Sequence, residues 1–174
     1  MPLVNPYLPL YKRLGYIFVD EANIVEALTH RSASKQHNER LEFLGDRVLG
    51  LVIADALIAR FPKAAEGELA PRLNQRVRKE TCAQMATELG LGDMMRLGRS
   101  EHVTGGRRKN AVLGDGMEAL IAAIYLDNGI EDARAAVLAL WGPLVDDTGP
   151  APPTPAQPTS PGRRPPPTRP PRRP

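Results

Sequence analysis

Residues 38–59, NERLEFLGDRVLGLVIADALIA, decide how this chain folds. Glu39, Glu42 and Asp46 recur at i, i+3 and i+7, which at about 100° per residue places them within roughly 60° of one another around a helix. Leu41, Leu44, Val48, Leu51 and Val52 cluster on the opposite side as a core stripe. The spacing predicts a long amphipathic helix, ended by Phe61-Pro62 because the residue before a proline is driven out of the helical region. Its polar side is unusual, since the carboxylates stand together with no lysine interleaved. Like charges at these spacings cost ~0.2–0.5 kcal/mol per pair. Phe43 adds to the oddity by lying about 40° from Glu39, on the acidic side of the wheel. An aromatic there is either simply exposed or covered by a partner subunit.

Outward from this segment the chain reads as further helices separated by glycine and proline stops. Asp20 caps a helix in which Ile24, Val25 and Leu28 share a face. Another starts near Glu68, takes Pro71 in its first turn and stops at Gly90. Gly98 to Lys109 reads as a polar loop containing Gly105-Gly106. A helix from Asn110 to Leu126 closes at Asp127-Asn128-Gly129. A last one, from Ile130 to Trp141, is stopped by Gly142-Pro143. Strand signals are poor, with few β-branched alternations and few aromatics. The fold class is all-α.

Composition divides the chain in two. Twelve of the 18 prolines lie between Pro150 and Pro174, a stretch that also holds five arginines and no acid. Residues 1–147 then carry 18 basic against 20 acidic side chains, so the pI of about 9.2 belongs to the tail and gives no ground for calling the body basic. Residues 1–147 are expected to form one domain. Residues 148–174, nearly devoid of large apolar side chains, are expected to be disordered with polyproline II character. One cysteine, Cys82, excludes an intramolecular disulfide and suits a reducing compartment. No basic stretch followed by an apolar core opens the chain, so a secretory signal is not expected. The most apolar run, Leu49 to Ala59, contains Asp55 and is far shorter than the roughly 20 residues of a membrane span. The expectation is a cytoplasmic protein with no membrane partner.

The acidic face recurs further along. Asp115 and Glu118 stand at i, i+3, while Leu113, Met117, Leu120, Ile121 and Ile124 face the other way. Two readings stay open for these faces. They are solvated surfaces, or they meet and bind a divalent cation, for which oxygen-only donors suit Mg²⁺ or Mn²⁺. Basic residues invite a similar choice between ordinary surface and phosphate contact. Arg72, Arg76 and Lys79 fall at i, i+4, i+7, and Arg107, Arg108 and Lys109 follow the Gly105-Gly106 pair. Next to a carboxylate site they favour a polyanionic substrate. His30, His37 and His102 lack metal-ligand spacing, Cys82 has no evident partner, and Ser32, Ser34 and Ser100 have no nucleophile-elbow context.

ALTHRSA at 27–33, NERLEFLGDRVLG at 38–50 and LGDGMEALIAAIYLD at 113–127 together resemble the catalytic domain of ribonuclease III. The similarity covers residues 8 to 143. It implies an all-helical endonuclease that dimerises and uses Mg²⁺ to cleave double-stranded RNA, leaving 5′-phosphate and 3′-hydroxyl ends. By the same resemblance Glu42, Asp115 and Glu118 match metal ligands, and Asp46 and Glu118 match the residues assigned the catalytic role. Glu39 and Glu66 match further acids lining the cleft, and Phe43 the aromatic that enters the partner subunit.

The chain departs from the common bacterial pattern where a double-stranded-RNA-binding domain usually follows. Its tail is either a disordered arm whose arginines meet phosphates, or an out-of-frame reading of a GC-rich gene. The expected function is a double-stranded-RNA endonuclease in rRNA and mRNA, and also tRNA, processing. The alternative is a catalytically idle RNA-binding or assembly module of the same fold. A third reading is a metal-dependent phosphohydrolase of small nucleotides.

Overall fold

The computed structural model describes residues 5–147; the expectations for residues 148–174 lie outside them. The described residues form the helices α1 (Leu8–Leu14), α2 (Glu21–Ala27), α3 (Glu39–Arg60), α4 (Glu66–Val77), α5 (Lys79–Glu88), α6 (Leu91–Met94), α7 (Arg99–Val103), α8 (Asn110–Asn128) and α9 (Ile130–Asp146). A 3₁₀ turn, Gly106–Arg108, leads into α8. The all-α expectation holds: strand-like pairing among the described residues is limited to an isolated bridge between Thr29 and Arg96. Among them, too, no helix is long and apolar enough to cross a membrane.

The axis of the molecule is α8, which packs against α2, α3, α5 and α9. Its sequence explains why. From Val112 to Ile124 all but Asp115 are buried, so the helix is apolar nearly all round and must be enclosed. Neighbours come close because some positions have no side chain to hold them off. A Cβ added to Gly45 on α3 would lie 1.7 Å from the backbone oxygen of Glu118. On the far side, Trp141 of α9 is fully buried and donates its indole N–H to the Arg76 carbonyl at 2.9 Å.

Several local expectations need correction. The helix read from Glu68 to Gly90 is two helices, α4 and α5, separated by Arg78 in an extended conformation (φ −65°, ψ 156°). Thr81 Oγ1 donates to the Gln75 carbonyl at 2.8 Å and stabilises the break. Pro71 sits in the second turn of α4, not the first; Gly67, whose carbonyl loses its helical donor, is exposed to water. The Gly98–Lys109 loop contains α7 and the 3₁₀ turn. Helix α9 runs through Gly142-Pro143 to Asp146, since continuing buries Val145. Near the N-terminus, α1 is additional to the expected helices; Pro9 is harmless in a first turn, and the helix buries Leu10, Tyr11 and Leu14. Finally, the buried stripe of α3 is rotated from the one expected. Leu49, Ile53 and Leu57 join Leu41, Val48 and Val52, whereas Leu51 is 59% exposed.

Candidate metal centre

The approach of α3 to α8 at Gly45 fixes the chemistry above it. Glu42 stands just under a turn before Gly45 and faces Asp115 and Glu118 across the seam. One carboxylate oxygen from each of the three lies within 4.8 Å of the others. Glu118 is the deepest, at 3% exposure, and Glu42 and Asp115 are half-buried.

The three carboxylates converge on Lys79, the first residue of α5. Its Nζ donates to Asp115 Oδ1 at 2.6 Å, Glu118 Oε2 at 2.8 Å and Glu42 Oε1 at 3.3 Å. The electrostatics follow from this enclosure. Burial pushes the Glu118 carboxyl up from its ordinary pKa, and the Lys79 bond only partly offsets it. Burial also raises Glu42, reinforced by the charge of Asp115. For Lys79 burial works against the charged form, but its bonds to Asp115 and Glu118 outweigh it and hold the ammonium above the usual lysine range. Beneath them the Cys82 thiol, fully buried and near Glu118, is pushed up to about 12, first by burial. It is inert as a nucleophile. The chemistry of this pocket is that of hard oxygen donors already gathered round one positive charge, and such a set suits Mg²⁺ or Mn²⁺.

Around this centre the other expected residues divide. Asp46 lines the same hollow and pairs with Arg47. Glu39 stands at the rim, 3.1 Å from Arg31 Nη1. Glu66, the exposed first residue of α4, lies outside that lining within a single chain. Phe43 is 66% exposed, with the Arg47 guanidinium 4.6 Å from its ring centroid. Beside it runs an open groove lined by Leu44, Val48, Leu51, Tyr125, Leu126 and Ile130.

The basic set is largely reassigned. Arg76 is 4% exposed and spends its guanidinium on the carbonyls of Leu144 (2.8 Å) and Arg72 (3.0 Å), so it is not on a surface. Lys79 belongs to the carboxylate cluster, because the break at Arg78 takes it off the α4 face. Arg107 Nη1 donates to the carbonyls of Gly92, Asp93 and Met95 at 2.7–3.0 Å, closing the C-terminal end of α6. Arg72 lies over the Phe61 ring at 4.5 Å. Lys109 pairs with Glu101 at 2.7 Å, and Arg108 is exposed. Sequence reasoning therefore missed the central role of Lys79. The sequence carries no signal for it, because Lys79 reads as mid-helix there and becomes the first residue of a helix only through the break at Arg78.

Comparison with known proteins gives the family. A family model described as ribonuclease-III-like matches residues 20–142. The Ribonuclease 3 of Dinoroseobacter shibae is 60% identical over 136 residues, covering 76% of this chain and 59% of that protein. That of Ruegeria pomeroyi is 58% identical over the same length, covering 76% and 60%. The chain thus spans about three-fifths of the length of the curated relatives it matches. Among solved structures, the nuclease domain of ribonuclease III from Campylobacter jejuni, described for flexibility in a region involved in dimer formation, superposes with a TM-score of 0.75. It is 41% identical and covers 77% of this chain and 94% of that one. Dicer from Pichia stipitis superposes with a TM-score of 0.58 at 25% identity, over 75% of this chain and 57% of that one.

Proposed function

The chain belongs to the ribonuclease III family, and on that premise we propose that it is a divalent-metal-dependent endoribonuclease of double-stranded RNA. It would leave 5′-phosphate and 3′-hydroxyl ends and act in the cytoplasm on rRNA, mRNA and tRNA precursors. One observation carries this reading: three carboxylates from α3 and α8 converge on a single cation, with one of them almost wholly buried. Glu42, Asp115 and Glu118 would hold Mg²⁺, with Mn²⁺ able to substitute. When bound, the ion supplies a nucleophilic water and neutralises charge on the phosphoryl oxygens.

The chain's own residues do the rest. Burial of Glu118 fixes one ligand and excludes water behind it. Asp46, on the same face of α3 and lining the same hollow, would orient a water toward phosphorus. Arg108, exposed ahead of α8, would meet a phosphate backbone, and Lys109 would join it by exchanging its Glu101 partner for phosphate. A homodimer joined through Phe43 would present two such centres, one for each strand.

A duplex-RNA cleavage assay with and without Mg²⁺ tests the reading, with Glu118→Gln as its partner. The variant keeps the side chain's shape and loses its charge, so cleavage should drop by roughly a hundredfold or more while the fold and duplex binding persist. Binding without cleavage by the wild-type protein would instead favour an idle RNA-binding module, and nucleotide turnover without duplex cleavage a small-molecule phosphohydrolase.

A further inference from the structure

The ammonium at the carboxylate cluster is placed by three independent features of the chain. The first is geometric: Lys79 Nζ sits within 3.3 Å of an oxygen of Glu42, Asp115 and Glu118 at once. The second is the backbone. Arg78 is extended, so Lys79 becomes the first residue of α5, and the break points its side chain at α8 instead of along the face of α4. A cation there faces the positive end of the helix dipole, a placement only the carboxylates can compensate. The third is a missing side chain. A Cβ at Gly114 would lie 2.4 Å from Lys79 Cδ and 3.0 Å from Cγ, so the glycine beside Asp115 opens the passage that the lysine stem fills.

We infer that Lys79 is a tethered counter-ion of this centre, and that a divalent ion enters by exchanging with its ammonium. The inference rests on the metal reading above. A hard divalent ion such as Mg²⁺ draws its oxygens to about 2.0–2.1 Å, around the point the ammonium occupies, and two cations do not share one point. The lysine is covalently attached, so it competes at a high effective concentration. It also keeps three crowded carboxylates compatible with one folded state. Lys79 thus weakens metal binding, sets the ion concentration at which the centre fills, and leaves for solvent through the open side of the hollow, where its side chain is already 37% exposed.

The test measures Mn²⁺ binding without RNA, by the loss of the free-ion paramagnetic resonance signal, together with thermal midpoints in chelator and in Mn²⁺. Three full-length proteins are compared: wild type, Lys79→Met and Gly114→Ala. Lys79→Met removes the charge and keeps the stem. It should bind Mn²⁺ at least tenfold more tightly, melt lower than wild type in chelator, and gain more from added Mn²⁺. Gly114→Ala retains the charge but obstructs the stem, and should tighten Mn²⁺ binding in the same direction by a smaller factor. If three bare carboxylates prevent Lys79→Met from folding, Gly114→Ala decides. Equal or weaker Mn²⁺ affinity in the folded variants, with wild type binding normally, overturns the inference and leaves the metal reading standing. Absence of Mn²⁺ binding in every folded protein overturns the metal reading itself.

Discussion

Two carboxylates show how position alone divides a residue type into opposite roles. Glu118 is enclosed, and its charged form is disfavoured by burial. Asp127, at the other end of the same helix, is a hub of acceptors. It takes hydrogen bonds from Tyr16 Oη (2.6 Å), the backbone N–H groups of Val19 (2.8 Å) and Asp20 (2.9 Å), and Asn23 Nδ2 (3.0 Å). Burial alone would raise its pKa, but these four donors, Tyr16 foremost, overcome that and hold it below the ordinary carboxylate value. The sign follows directly. A group with a depressed folded pKa contributes stability above its unfolded value of about 3.9, and that stability is lost as pH falls through the folded value. Asp127→Asn turns a donor toward a ring of donors and should cost about 1.5–3 kcal/mol near pH 7. The gap to wild type should narrow in acid as the wild-type carboxyl is protonated. Urea denaturation of both proteins at pH 7 and pH 3 measures this; a gap of equal size at both pH values would show that the charge of Asp127 does not hold the loop.

At the scale of elements, glycines on α3 and α9 make contrasting predictions. Gly45 allows α3 and α8 to meet backbone to backbone, and an added methyl would strike the Glu118 carbonyl at 1.7 Å. Neither helix has a flexible group there that can yield, so Gly45→Ala should cost about 3 kcal/mol or more. It should also weaken Mn²⁺ binding, because Glu42 moves away from Asp115 and Glu118 with the displaced helix. Gly142 lies inside α9 with no atom within 4 Å of an added Cβ. Gly142→Ala should therefore stabilise the protein by about 0.5–1 kcal/mol through helix propensity. Thermal melts of the two variants check both signs. A destabilising Gly142→Ala would mean that α9 stops at the glycine, as its sequence first suggested.

For the molecule as a whole, the exposed apolar surface near the centre is the outstanding feature. Phe43, Leu51 and Leu126 are 66%, 59% and 53% exposed, and the groove beside Phe43 is lined by Leu44, Val48, Leu51, Leu126 and Ile130, with Arg47, Asp127 and Asn128 among its polar residues. Apolar patches of this kind mark contacts between proteins. We expect Phe43 to be the anchor of a homodimer, with Phe43→Ala costing about 2 kcal/mol or more in association. Light scattering across a micromolar dilution series reads the result. A wild-type protein that stays monomeric throughout would remove Phe43 from any dimer contact.

The fold class and three of the carboxylates at the centre were legible in the sequence. Helical periodicity is a local property, and i, i+3 and i+7 spacing places Glu42 beside Glu39 and Asp46, and Asp115 beside Glu118, whatever packs around them. Asp20 as a cap was legible for the same reason, its carboxylate accepting from the Ala22 N–H at 2.9 Å. Burial was harder to read. Leu51 and Leu49 are equally apolar, and only the direction from which α8 approaches decides that Leu49 is enclosed and Leu51 exposed. Tertiary structure alone decided the fate of the basic residues as well. Arg76 and Lys79 looked like neighbours on one polar face. The break at Arg78 then sent one to cap carbonyls in the interior and the other into a cluster of acids contributed by residues far away in the chain. A charged side chain goes where its desolvation is compensated, and its partners are set by the packing of distant helices, which no local pattern encodes.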